Sequence, residues 1–224
     1  MSKKKGIDWK THFIELLVVI IGISIAFALE GWASDRKEQK LETNYLNSLK
    51  ADLEKDKADL QAIIDSTNVI IRHTGEVFQF IYSRQPHTVY RRHHITSGYL
   101  ASYFYPKNGT YVSLINSGDI SVVRSFELKA ALSDLYNIDY KEVARIDNVI
   151  RNLVDNTIQP FVIDNIQFSL DRDGIEDDAP LKQNKVTNML GSLFNLLKAR
   201  QITYNKIIVK CDELITKVDK ALEQ

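Results

Sequence analysis

The apolar positions of the chain form one nearly continuous run near the N-terminus and three periodic runs after it. The continuous run is residues 13–32, FIELLVVIIGISIAFALEGW. As a helix, its apolar part spans about 25 Å, which is the lower end of what crosses a bilayer. Trp9 and Trp32 flank the run, as aromatic residues flank membrane spans at the two interfaces. The pattern predicts a transmembrane helix at 13–32, preceded by a short cytoplasmic N-terminus at 1–12.

Two other interpretations of this run stay open, a cleaved signal peptide and a soluble core helix. The lysine-rich start MSKKK and the triplet Ala26-Phe27-Ala28 resemble the n-region and the cleavage site of a secretory signal. We favour a retained anchor, because the helical pattern continues through ALEGWASDRKEQKLETNYL without the break that is typical of cleavage sites.

The charges on the two sides of the span nearly balance, so the positive-inside rule does not decide the orientation. The flanking cations are Lys3, Lys4, Lys5 and Lys10 before the span, and Arg36, Lys37 and Lys40 after it. A large C-terminal domain is translocated largely regardless of such charges. We therefore favour a cytoplasmic N-terminus and an extracytoplasmic domain at 33–224.

The first and last periodic runs predict long helices at 33–83 and 181–222. Their apolar positions alternate steps of three and four residues, which is the spacing of a coiled-coil seam. The first seam is Leu46, Leu49, Leu53, Asp56, Leu60, Ile63, Thr67, Ile70, Thr74, Val77 and Ile81. The last seam is Val186, Leu190, Leu193, Leu197, Arg200, Tyr204, Ile207, Cys211, Leu214, Val218 and Ala221.

These two helices are predicted to pair antiparallel. If Ile81 faces Val186, Asp56 lies near Cys211, and Arg200 lies too far along the seam to pair with Asp56. The fold class is therefore predicted to be all-α, with an N-terminal transmembrane helix that continues into an elongated antiparallel helical bundle.

A middle helix is predicted at 126–159, with Ser125 as its N-cap. Its apolar stripe departs from strict heptads at an eight-residue step from Leu135 to Val143. Residues 84–125 are predicted to form a distal cap, with a short helix at about 95–105, and a helix-turn-helix corner. Residues 160–180 are predicted to form an acidic loop.

Composition excludes several classes of function. Lys and Arg number 29 and Asp and Glu number 29, so no net charge attracts nucleic acid, and we predict no nucleic-acid partner. The single cysteine, Cys211, excludes an internal disulfide and a multi-cysteine metal site, and its seam position predicts a buried, inert thiol. Nucleophile-elbow, phosphate-loop and zinc-helix motifs are absent, which predicts a non-enzymatic protein without a cofactor.

Three residues of the predicted span are candidates for membrane association. Glu15 is an acid inside an apolar run, which either reaches the headgroups or faces a partner. Gly22 and Ala26 have the small-xxx-small spacing that lets two helices approach closely. This pattern predicts self-association or docking to another membrane protein.

The segment RQPHTVYRRHHITSGYLASYFYPKNGTY, residues 84–111, combines arginines, histidines and tyrosines. A structural cap of the bundle is the favoured interpretation. A protein contact is the alternative, with Arg84, Arg91, Arg92 and Tyr90 as the candidate residues. A metal site at the histidines of this segment is not predicted, because adjacent histidines point in different directions and no carboxylate is close in sequence.

Two stretches resemble an uncharacterised bacterial family of single-pass membrane proteins. The first is IELLVVIIGISIAFALEGWASDRKEQKLETNYLNSLKADLEKD, and the second is YPKNGTYVSLINSGDISVVRSFELKAALSDLYN. A departure from the family is Glu30-Gly31, where members commonly carry asparagines before the tryptophan. The resemblance implies a protein of the Gram-negative envelope, and it implies no activity and no catalytic residue.

The expected function is therefore a membrane-anchored envelope scaffold or protein-interaction module. Its expected location is the inner membrane, crossed once, with the C-terminal domain in the periplasm. The expected partner is another membrane or periplasmic protein, or a second copy of the chain. Two alternatives stay open: a ligand-sensing helical bundle that acts through a partner subunit, and an accessory subunit of a membrane channel or motor.

Overall fold

A computed structural model describes residues 9–99 and 101–223. The predicted all-α fold is confirmed, since this part of the chain contains helices and a single isolated antiparallel bridge between Phe168 and Ile175. The α-helices are α1 (Trp9–Tyr82), α2 (Arg92–Thr96), α3 (Gly109–Asn116), α4 (Phe126–Asp134), α5 (Tyr140–Leu153), α6 (Gln159–Asn165) and α7 (Asn184–Leu222). The chain divides into one unit that ends at Tyr45 and a second unit from Leu46 onwards.

The described part of the first unit is the N-terminal part of α1. Every side chain from residue 12 to residue 40 is exposed, and α1 is, by length and composition, able to cross a membrane. A soluble core helix would bury this apolar stretch against the rest of its domain, so its complete exposure argues against that interpretation. The predicted cytoplasmic N-terminus falls mostly on residues 1–8, which lie outside the described part.

The second unit is built on the two predicted seams. All positions of the first seam from Leu46 to Val77 are buried. Every position of the last seam is buried too, except Leu190 and Ala221, which are partly exposed. Polar pairs beside the seams show that α1 and α7 run antiparallel, because each step forward on α1 is matched by an equal step back on α7. These pairs are Lys50–Asp219 at 2.7 Å, Lys57–Asp212 at 2.5 Å, and Asn68–Gln201.

The middle helical run differs from its prediction in two ways. Leu135–Asp139 is a π-helical turn, in which the Tyr140 N–H donates to the Leu135 carbonyl, and this extra residue accounts for the irregular eight-residue step. A second π-turn, Val154–Ile158, leads into α6, so the run ends at Asn165 and not at residue 159. The predicted end was wrong because the helical run continues through the second π-turn and past Pro160 into α6.

The corner before α4 was predicted correctly. Gly118 adopts the left-handed conformation (φ 78°) that follows a helix end, and the Ser125 hydroxyl accepts a hydrogen bond from the Leu128 N–H at 3.2 Å. The helix predicted at 95–105 was wrong, since α2 ends at Thr96 and residues 101–108 are non-helical. Buried side chains hold this segment in place of helical hydrogen bonds.

Candidate functional site

Two buried aspartates hold the non-helical segment 101–108 on the helices. The Phe104 N–H donates to Asp147 Oδ2 at 3.0 Å, and the Lys107 N–H donates to Asp56 Oδ1 at 2.7 Å. Both acids are almost fully buried, since Asp147 is 3% exposed and Asp56 is 0% exposed. Buried backbone N–H groups need partners, so these acids replace the helical hydrogen bonds that the segment lacks.

Asp147 also neutralises the one arginine of the α7 seam. Arg200 Nε forms an ion pair with Asp147 Oδ1 at 3.1 Å, although the direction of its N–H does not suit a hydrogen bond. Another guanidinium nitrogen of Arg200 donates to the Ser102 carbonyl. The Tyr204 hydroxyl donates to both Asp147 oxygens, at 2.9 and 2.7 Å. Arg200 is 1% exposed, so this charged group depends on its partners inside the protein.

Asp56 occupies a separate buried site, which confirms that it does not pair with Arg200. The Tyr140 hydroxyl, placed by the π-turn, donates to Asp56 Oδ2 at 2.7 Å and lies 3.9 Å from Cys211 Sγ. Burial raises the pKa of Asp56, and burial also raises the pKa of the Cys211 thiol to about 11. A buried thiol with this pKa stays protonated at neutral pH, as expected for an inert structural cysteine.

The four residues predicted to contact a partner divide into different roles. Tyr90 is fully buried, and burial raises its pKa to about 12, so its assignment to an exposed contact was wrong. The backbone N–H of Arg92 donates to Asp173 Oδ1 at 3.2 Å, and its guanidinium donates to the Ser169 carbonyl at 3.3 Å. The side chain of Arg84 is exposed at the end of α1, where its backbone has φ 51°.

Arg91 and Arg92 together hold the acidic loop against α2. The Arg91 guanidinium donates to the Asp173 carbonyl at 3.4 Å, and that of Arg92 stacks over the Phe168 ring at 5.0 Å. Gly174 allows this close approach, because a Cβ there would lie 2.7 Å from the Tyr90 carbonyl oxygen. These contacts support the cap interpretation of the segment for Arg91 and Arg92, although both side chains are exposed, as that of Arg84 is.

The membrane-association candidates all lie on the exposed helix of the first unit. Glu15 Oε2 lies 3.1 Å from His12 Nδ1, one turn earlier on the same helix. Apart from its chain neighbours and the nearby backbone of its own helix, no atom of the described residues lies within 4 Å of the position that a Cβ on Gly22 would occupy, and Ala26 is exposed. The small-residue face is therefore open, as docking of another helix requires.

A cluster of histidines lies where α2 packs on α1. His73, Glu76 and His93 have ligand-type atoms that all lie within 4.8 Å of one another. The rings of His73 and His93 are 4.5 Å apart, and those of His93 and His94 are 4.3 Å apart, measured between centroids. His93 is exposed, whereas His73 and Glu76 are half-buried. His87, which the sequence places in the same segment, is outside this cluster.

His94 connects the cluster to the backbone of α2. Its Nδ1 accepts a hydrogen bond from the Arg91 N–H at 2.9 Å, and its Nε2 lies 3.0 Å from Glu76 Oε2. The neutral ring therefore carries its proton on Nε2 and donates it to the Glu76 carboxylate. Burial, and next the neighbouring His93, lower the pKa of both His73 and His94.

Comparison with known proteins identifies the family of the chain. Residues 15–150, more than half of the sequence, match the model described as Family of unknown function (DUF6090). The chain belongs to the DUF6090 family. No curated protein and no solved structure matches the chain.

The DUF6090 match includes some of the buried and clustered groups described above and excludes others. Asp56, Asp147 and the whole histidine cluster fall within residues 15–150. Arg200 and Tyr204, on α7, fall outside it. The family region therefore supplies both aspartates that hold the non-helical segment, and α7 supplies the cation that neutralises one of them.

Sequence reasoning missed His73 and Glu76 as members of a site. Both lie on the long first helix, three residues apart and therefore on one face. Only the packing of α2 on that face brings His93 beside them. The one available signal was the HTGE sequence, residues 73–76, which places an imidazole and a carboxylate one turn apart on the same face of the helix.

Acidification is expected to destabilise the folded state through this cluster. Because the pKa values of His73 and His94 are lowered on folding, the unfolded chain binds more protons, and stability is lost as pH falls below about 6.5. The neighbouring Arg72 and His93 act in the same direction, and Glu76 opposes them. Urea denaturation followed by circular dichroism should give a lower midpoint at about pH 5 than at about pH 7.5.

A His73→Gln variant should make this pH dependence shallower, whereas His87→Gln should leave it unchanged. Asp56 has a raised pKa, so its contribution to the free energy of unfolding increases as pH falls, opposite to that of the histidines. The comparison between variants is needed because it separates the histidine contribution from that of Asp56. An identical pH dependence in His73→Gln and wild type would show that the cluster does not control acid stability.

Proposed function

We propose that this chain is a membrane-anchored, non-enzymatic protein, whose helical unit binds another membrane or periplasmic protein or a second copy of the chain. The observation that carries the proposal is the fully exposed apolar helix of the first unit. Exposing so much apolar surface to water is unfavourable, and a bilayer removes that cost. The anchor is proposed to be the single span of an inner-membrane protein of a bacterial envelope.

The buried polar groups support a binding role over a catalytic one. Asp56 and Asp147 accept hydrogen bonds from backbone N–H groups, and Asp147 also pairs with Arg200 inside the bundle. A general acid or a nucleophile must reach a substrate, and these groups are enclosed by the fold. Their arrangement suits a rigid unit that presents its surface to a partner.

Labelling an exposed engineered cysteine tests the orientation and the partner in one experiment. Arg84→Cys is treated in spheroplasts with a membrane-impermeant maleimide that carries a photo-crosslinker. If the second unit is periplasmic, Cys-substituted chains should be labelled before lysis, and illumination should produce a discrete product of higher mass. The native Cys211 is buried, so the unaltered chain is the control and should stay unlabelled.

A second labelled position separates the possible failures. Asp164→Cys places the same reagent on the exposed surface of α6. Absence of labelling at both positions before lysis, with labelling after it, would overturn the periplasmic orientation. Labelling without a discrete crosslinked product at either position would count against a stable protein partner at these two surfaces.

A further inference from the structure

The histidine cluster has the composition of a metal site. His73 and Glu76 lie three residues apart on α1, so both side chains leave the same face of that helix, and α2 places His93 beside them. We propose that His73, Glu76 and His93 bind a divalent transition-metal ion of the Zn²⁺ type. This inference goes beyond the proposed anchoring and binding function and does not depend on it.

The donor set selects the class of metal. Two imidazole nitrogens and one carboxylate oxygen are the protein ligands of a Zn²⁺ site with an open fourth position. Mg²⁺ and Ca²⁺ prefer oxygen ligands throughout, so two imidazoles disfavour them. Tetrahedral Zn²⁺ ligands lie roughly 3.4 Å apart, given metal–ligand distances of about 2.0–2.2 Å. The ligand atoms here lie within 4.8 Å, so small side-chain rotations close the site.

An unpartnered nitrogen at the site is an independent observation in favour of a ligand. His73 Nδ1 is buried, and none of the described residues gives it a hydrogen-bond partner. A buried polar atom without a partner is costly and is uncommon in native proteins. Coordination to a metal satisfies an imidazole nitrogen. His93, which is exposed, leaves the cluster open to solvent, so that an ion can enter.

His94 is placed to orient the carboxylate ligand. Its Nδ1 is occupied by the Arg91 N–H, so its Nε2–H points at Glu76 Oε2 at 3.0 Å. Metal-binding carboxylates are commonly fixed by such outer hydrogen bonds, and removing one lowers metal affinity by roughly ten- to a hundredfold. We assign His94 as a positioning residue and not as a ligand.

The proposed ion would join α2 to α1. Glu76 and His73 belong to α1, whereas His93 and the positioning His94 belong to α2, a helix of only five residues. So short a helix is not stable by itself. Metal binding is therefore expected to stabilise α2 and to slow hydrogen exchange at the backbone amides of residues 92–96.

The test uses the full chain in detergent micelles, purified through a tag without histidines. Equilibrium dialysis against Zn²⁺, followed by elemental analysis, should find about one tightly bound ion per chain. Co²⁺ should give the visible absorption of a tetrahedral site. His73→Gln, Glu76→Gln and His93→Gln should each weaken Zn²⁺ binding by at least about tenfold, and His94→Gln by roughly ten- to a hundredfold.

The control is His87→Gln, because His87 comes from the same segment of the sequence and lies outside the cluster. Its affinity for Zn²⁺ should equal that of the unaltered chain. His93 is exposed, so His93→Gln should keep the fold, which the helical circular dichroism signal verifies. The proposal is overturned if folded His93→Gln binds Zn²⁺ as tightly as wild type, or if no Zn²⁺ remains bound to wild type after dialysis.

Discussion

Replacing Asp147 with Ala is expected to lower the free energy of unfolding by about 3–5 kcal/mol. The substitution leaves the buried guanidinium of Arg200 without its counterion and the Phe104 N–H without its acceptor. It also removes both acceptors of the Tyr204 hydroxyl. A buried charge that loses its partner is far more costly than an exposed one, because water cannot replace the lost interaction.

Cys211 provides the measurement for this prediction. It is the single cysteine of the chain and is fully buried, so its rate of labelling by a thiol reagent reports unfolding without dissolving the micelle. The matched control is Asp164→Ala, which removes an exposed acid of α6 and should change the unfolding free energy by no more than about 0.5 kcal/mol. Equal effects of the two substitutions would show that the buried pair does not stabilise the fold.

Placing two arginines in the apolar helix is expected to release the chain from the membrane. Ile20→Arg with Ile21→Arg puts both charges at the centre of the exposed run, where each costs about 2.5–3.5 kcal/mol in a spanning helix. The chain should move from the membrane pellet to the soluble fraction after alkaline extraction. The matched control is Ile20→Leu with Ile21→Leu, which keeps the run apolar and should stay in the pellet.

The same fractions distinguish an anchor from a cleaved signal. If the run is an anchor, the chain in the pellet keeps the full mass of its sequence. Recovery of the unaltered chain in the soluble fraction, at the mass expected after loss of residues 1–28, would contradict the anchor. Retention of the double-arginine variant in the pellet would instead show that other parts of the chain hold it at the membrane.

The seams show how much of the fold the sequence predicts. Burial of the positions from Leu46 to Val77 follows from a spacing of three and four residues, because that spacing places side chains on one face of a helix. The N-cap role of Ser125 was predicted for the same reason, since cap chemistry depends on nearby residues. Local rules were sufficient wherever a residue's role depends on its own helix or turn.

The same rules failed where a residue's role depends on a distant element. The predicted helix at 95–105 is replaced by a segment held by Asp56 and Asp147, which come from two different helices. The contact alternative placed Tyr90 at the surface, because tyrosine is common in protein contacts, yet Tyr90 packs in the core beside Phe80, with 5.3 Å between the ring centroids. Neither outcome is encoded in the neighbouring sequence.

The sequence by itself determined the apolar N-terminal helix, the all-α class and the antiparallel pairing of α1 with α7. The first two follow from periodicity, which acts over a few residues and so can be read along the chain, and the pairing follows from two seams of similar length. Only the tertiary structure decided which polar residues meet. His93 reaches His73 and Glu76 because α2 turns back onto α1, and Arg200 reaches Asp147 because α5 lies against α7. Such contacts join residues far apart in sequence, so their chemistry appears only when the helices are packed.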